Sequence, residues 1–129
     1  MIKKITIDAA IDLEANEEAF SSQTMPLKGA YKLNKIFHEI ADLTDASKQQ
    51  FNNIITDYSE KDEDGNPIVV DDGSIKIQAD KIDECNKKVN ALMSEEIEID
   101  NYDLDIEQLG NEFNLNLEQM NKLSYILND

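Results

Sequence analysis

Glu60, Asp62, Asp64, Gly65 and Asp71 stand where positions one, three, five, six and twelve of a calcium-binding loop would fall. Carboxylates at that spacing could ligate a hard cation. Several departures argue against it: glutamate at position one, Pro67 at position eight, the shorter aspartate at twelve, and a strand-like segment downstream where a helix is needed. The expectation is an ordinary polar turn and no metal site. His38 and Cys85 are the only histidine and cysteine. His38 has no second histidine or thiolate near it in sequence, and reads as a helix-surface or interface residue. Cys85 lies on an apolar helical stripe, where it behaves as a small hydrophobe. A nucleophilic pair of the two would need their helices to meet, and nothing in the sequence requires that. The pairs Glu95–Glu96 and Asp103–Asp105 are too readily produced by composition to be read as a catalytic dyad. No glycine-rich phosphate loop exists, since Gly29, Gly65, Gly73 and Gly110 are scattered. The chain is therefore expected to have no catalytic residues and no cofactor, and not to be an enzyme.

What remains is charge. There are 28 acidic and 12 basic residues, every basic one a lysine, for a formal net charge of -16. From Met93 onwards ten carboxylates face the single Lys122. A face of that kind either keeps a protein soluble or docks a cationic partner. If it docks one, the carrying residues are Glu95, Glu96, Glu98, Asp100, Asp103, Asp105 and Glu107. Direct nucleic-acid binding is disfavoured, because phosphates would meet a negative, arginine-free surface. Lys28, Lys32 and Lys35 form a local exception on one helix face, expected to pair with acidic neighbours. The lone cysteine gives no internal disulfide, no run approaches a membrane span, and Met1–Lys4 leads into no signal-like segment. The expected location is cytoplasmic, in a host cell, unless the protein is a virion component.

The elements that must position these groups follow from periodicity. The reading is a single domain, residues 1–129, mainly α (α+β): a long antiparallel helical hairpin over 27–93, a β-hairpin at its tip (67–78), a minor sheet near the termini and an acidic C-terminal part, 94–129. Ala30, Leu33, Phe37, Ile40, Thr44, Ser47, Phe51, Ile54 and Tyr58 step by threes and fours, predicting a helix from Leu27 to Ser59, on the order of 50 Å long. Thr44 and Ser47 could mark a bend, a register device or a break. A helix so long needs a partner, either Ile82, Cys85, Val89 and Leu92 of the next helix or a second copy of the chain in a homodimer. Asp72–Gly73 suits the hairpin turn. Ile2, Ile5 and Ile7 alternate as a strand that could pair with Ile97 and Ile99. Asp8 is expected to cap a helix over Ala9–Phe20. Asn116 with Gln119 opens a last helix, expected to be buried through Leu117, Met120, Leu123 and Leu127.

Met25-Pro26-Leu27-Lys28-Gly29-Ala30-Tyr31-Lys32-Leu33-Asn34-Lys35 resembles the proline-lysine-tyrosine-lysine opening of a family of small uncharacterised proteins of tailed bacteriophages and prophages. The turn Tyr58–Pro67 and the run Glu95-Glu96-Ile97-Glu98-Ile99 are similar to later parts of that family. The resemblance spans Met25 to Asp129 and implies a phage or prophage origin, without an established activity. Together with the charge, it leads to the expectation of an acidic accessory protein that inhibits or regulates a basic, nucleic-acid-handling protein in the manner of a DNA mimic. The alternative is a small structural or assembly protein of the virion.

Overall fold

Ile2–Thr6 (β1) and Glu96–Asp100 (β2) form an antiparallel pair with Ile5 opposite Ile97 and Lys4 opposite Glu98. Alternation turns Ile5 and Ile99 into the core and leaves Lys4, Glu96 and Glu98 in solvent. The structure, a computed structural model, describes residues 1–128. Its described residues are mainly helical, with a two-stranded sheet. They fall into two compact units, Met1–Thr44 with Glu95 onwards, and Asp45–Ser94.

In the first unit, β1 runs straight into helix α1 (Ile7–Ala15). Thr6, not Asp8, is the cap: its extended backbone ends the strand while its hydroxyl accepts from the Ala9 N–H at 3.1 Å. The expected single helix to Phe20 is interrupted at Asn16, whose side-chain amide folds back on the Asp12 carbonyl, and α2 (Glu17–Ser21) follows. Phe20 of α2 is fully buried and stacks on Phe37, with ring centroids 6.0 Å apart. Leu33, Ile36, Phe37 and Ile40 of the long helix α3 (Leu27–Tyr58) close the core together with Leu104, Leu109, Leu123 and Ile126.

α3 does not break at Thr44. That side chain is fully buried, and its hydroxyl bonds the Glu14 carboxylate of α1. A polar seam residue thus finds a charged acceptor on a neighbouring helix, which removes the cost of burying it. The start of α3 is held by close backbone contacts. A Cβ on Gly29 would lie 2.1 Å from the Gln108 carbonyl oxygen, and one on Gly110 (φ +79°) would lie 2.9 Å from the Pro26 ring. Helix α5 (Leu117–Leu123) opens with a capping box, Asn116 accepting from the Gln119 N–H at 2.8 Å. Leu117, expected in the core, is 78% exposed: the box places it at the first helical position, turned away from Leu123, and Ile126 fills the core instead.

The second unit is a helical hairpin with unequal arms. The end of α3 is one arm, and α4 (Ile82–Met93), entered through a 3₁₀ turn at Ala79–Lys81, is the other. Tyr58 is buried beneath the ammonium groups of Lys81 and Lys88, 6.0 and 5.4 Å from its ring centroid. Cys85 and Leu92 are buried as their stripe implied, whereas Ile82 on the same stripe is 46% exposed. Lys61 caps the end of α3 by donating to the Thr56 carbonyl at 2.7 Å.

The tip contains the expected turn, with Val69 opposite Ile75 and Gly73 at φ +87°. Its ladder differs from one long hairpin, because Ile77 pairs with Ser59 while Pro67 pairs with Lys61. The acidic turn is thereby a second closed loop, with Gly65 at φ +83°. The two loops and the helical stem meet in a ring of backbone bonds. Ile68 N–H donates to Glu60 O at 2.9 Å, Glu60 N–H to Lys76 O at 2.8 Å, and Lys76 N–H to Ile68 O at 2.8 Å. A Lys76–Glu60 ion pair at 3.0 Å lies over that ring.

Candidate acidic interface

Glu95, Glu96, Glu98, Asp103 and Glu107 are exposed, as their polarity suggested. β2 sets the first of these: Glu96 and Glu98 are two steps apart along extended chain, so their side chains leave the same face about 7 Å apart. Neither carboxylate has an ion-pair partner among the described residues, although Lys4 stands opposite Glu98 in the register.

Asp100 and Asp105 are different. Asp100 Oδ1 accepts from the Met1 amino group at 2.9 Å and from the Tyr102 N–H at 2.7 Å. The amino group's hydrogen bond, followed by that of Tyr102, holds the Asp100 carboxyl below the ordinary carboxylate range. Next comes a tight turn in which Leu104 N–H donates to Asn101 O at 2.9 Å, with Tyr102 and Asp103 at φ +52° and +56°. Two successive non-glycine residues in the left-handed region need support. Asn101 supplies it. Fully buried, it accepts from the Asp103 N–H at 3.1 Å and donates to Asn128 Oδ1 at 2.7 Å. Asn128 in turn donates to Asp105 Oδ1 at 2.8 Å, and Asp105 caps the 3₁₀ turn Ile106–Leu109. Asp105, one of the carboxylates expected on the docking face, is half-buried and braces Asn128 against this turn. Its partner is Asn128, 23 residues away, which a count of carboxylates does not reveal.

The other candidates are placed as follows. His38 is exposed on α3 in the first unit, and Cys85 is buried in the second. In the acidic loop, Asp62 Oδ1 accepts from the Asp64 and Asn66 N–H groups, both at 3.0 Å, and Glu60 is taken by Lys76. No three His, Cys, Asp or Glu side chains converge to hold a metal ion among the described residues. Lys32 does not pair with a carboxylate; it donates to the Asp103 carbonyl at 3.0 Å and to Gln108 Oε1 at 3.1 Å. No described helix is long and apolar enough to cross a membrane.

Asp72 is held below the usual carboxylate range chiefly by the backbone N–H of Ser74, 2.9 Å from its Oδ1. For Asp72 and Asp100 the folded pKa is the lower one. Each therefore stabilises the fold above the unfolded value of about 3.9, and that contribution disappears as pH falls through the folded value. Thermal melts are expected to drop below about pH 4. The drop should be shallower in Asp100→Asn, which keeps an acceptor but does not titrate.

No protein-family model, no curated protein and no solved structure matches the chain.

Proposed function

We propose that this is a non-enzymatic, acidic phage accessory protein that acts by protein–protein binding, inhibiting or regulating a basic, nucleic-acid-handling protein of the host or its defences. The observation that carries the reading is the outer face of β2. Glu96 and Glu98 present charges at strand spacing, with the exposed Glu95 just before the strand, and no lysine of the described residues forms an ion pair with them. Anchored on a sheet, such carboxylates can stand in for a run of phosphates, supplying fast encounter and selectivity for cationic grooves. The resemblance to tailed-phage proteins in Met25–Lys35 and Glu95–Ile99 supports the origin.

The test is an unbiased pull-down from host lysate, followed by titration of the recovered partner. Binding should weaken steeply with salt and compete with the partner's DNA or RNA. The triple variant Glu95→Lys, Glu96→Lys, Glu98→Lys should lose binding by about a hundredfold while melting like the parent, since these side chains are exposed. Lys4→Glu should tighten it. A partner whose binding ignores salt and the reversal overturns the reading. The second reading, a structural or assembly protein of the virion, is favoured by Val69 and Val70, which stand 61% and 39% exposed in the tip of the second unit. Proteomics of purified particles separates the two, because a virion component travels with the particle.

A further inference from the structure

We propose that the groove between α2 and the first turns of α3 holds the side chain of a lysine from a partner chain, its hydrocarbon stem on an apolar floor and its ammonium at Glu17. Helix periodicity builds this groove. Glu17 and Ser21 stand one turn apart on α2, and Ala30, Leu33, Asn34 and Phe37 share one face of α3. Met25, in the connector between the two helices, completes the lining. Leu33 and Phe37 are core residues, and Phe37 is fixed by its stack on Phe20, so the floor has a set shape.

Size and charge identify the occupant. The groove has a volume of about 200 Å³, below the roughly 300 Å³ at which sites for drug-sized molecules begin, and it suits a single extended side chain. Its floor of Met25, Ala30, Leu33 and Phe37 takes an apolar stem. The one charged group lining it is the half-buried carboxylate of Glu17, which belongs to no ion pair among the described residues. At 3.6 residues per turn, Lys28, Lys32 and Lys35 fall on the far side of α3 from this groove. An anion would therefore be repelled, and a wholly apolar group would cover the carboxylate without pairing it. An ammonium has three donors, and Glu17, the Ser21 hydroxyl and the Asn34 amide oxygen offer acceptors around it. The five donors of a guanidinium would go partly unmet. Ser21 and Asn34 are exposed, so the rim opens to solvent and the entering side chain can keep its backbone outside. This inference does not rest on the proposed function: Glu95, Glu96 and Glu98 take no part in it, and its test needs only the purified chain.

The test is a titration of the full chain followed by its amide NMR spectrum, with N-acetyl-lysine amide and with n-pentylammonium as probes. Both should shift the amides of Ser21, Ala30, Leu33 and Asn34 and saturate in the millimolar range. Methylammonium has the charge without the stem, and 1-pentanol the stem without the charge. Each should bind more weakly than pentylammonium by about tenfold or more. Glu17→Gln should weaken binding of the lysine amide by about tenfold, whereas Glu18→Gln, which removes an exposed neighbouring carboxylate outside the lining, should leave it unchanged. That pair of variants separates the groove from the general attraction of a chain of charge -16 for any cation. Should Glu17→Gln melt earlier than the parent, Asn34→Ala takes its place; alanine favours the helix at that exposed position, and the variant must still lose affinity. Shifts spread over the whole acidic surface, equal binding of methylammonium, or unchanged binding in Glu17→Gln overturn the proposal. So does tighter binding of N-acetyl-arginine amide. Binding of pentylammonium without the lysine amide overturns it as well, because the groove then takes a free amine and not a side chain borne on a backbone.

Discussion

Gly29→Ala is expected to destabilise the first unit by roughly 3 kcal/mol, lowering its melting temperature by on the order of 10 °C. Two rules of helix chemistry disagree at this position. Glycine inside α3 is a poor helix former, and alanine should gain about 1 kcal/mol from propensity alone. The new methyl group, however, would sit 2.1 Å from the Gln108 carbonyl oxygen and 2.9 Å from its carbon. Those are backbone atoms of the turn capped by Asp105, so they cannot swing aside as a long side chain would. α3 and the 106–109 turn must separate, which also pulls Leu109 away from the core. Packing wins over propensity because the overlap is more than an ångström and lies on rigid chain. Stabilisation by alanine, read from a thermal or denaturant melt, would show that the two segments do not approach so closely.

Phe20→Ala is expected to cost about 3–5 kcal/mol, enough to leave the first unit close to unfolding at ambient temperature. Phe20 has no exposed surface and lies on a helix of only five residues, so its ring is the main attachment of α2 to the core. Removing it leaves a cavity beside Phe37, which loses its stacked neighbour. Leu117→Ala is the control. At 78% exposed, it should change stability by less than about 0.5 kcal/mol, although both residues are large hydrophobes in short C-terminal or N-terminal helices. Denaturant unfolding of the two variants separates burial from hydrophobicity alone.

The contrast between Phe20 and Leu117 also shows what was legible in the sequence. The long helix could be read because its stripe runs from Ala30 to Tyr58, nearly the whole of a thirty-two-residue helix, and a pattern of that length survives local exceptions such as Thr44. The sheet could be read because isoleucines alternate with charges on both strands. Short elements gave less. Both Thr6 and Asp8 are good caps, and only the end of β1 decides between them. The acidic surface was half legible. Charge counting treats Glu98 and Asp105 alike, whereas the turn network through Asn101 and Asn128 makes Asp105 a brace and leaves Glu98 to solvent. Asn101 is not legible because a buried asparagine has no sequence signature of its own; an Asn-Tyr-Asp run directly after an isoleucine strand is the one hint.

The ring of backbone bonds among Glu60, Ile68 and Lys76 has the topology of a cloverleaf, in which each leaf is tied off at its own base. The Lys61–Pro67 and Val69–Ile75 bridges close the two leaves separately, and Ser59–Ile77 closes the stem. A residue added between Asp62 and Gly65, or between Val70 and Gly73, changes one leaf without altering the register of the other or of the helices. Lengthening is thermodynamically cheap as well, since even doubling a flexible loop costs only about 0.6 kcal/mol. The tip is thus a place where this scaffold can accept new sequence, one leaf at a time, while the helical stem that carries it stays unchanged.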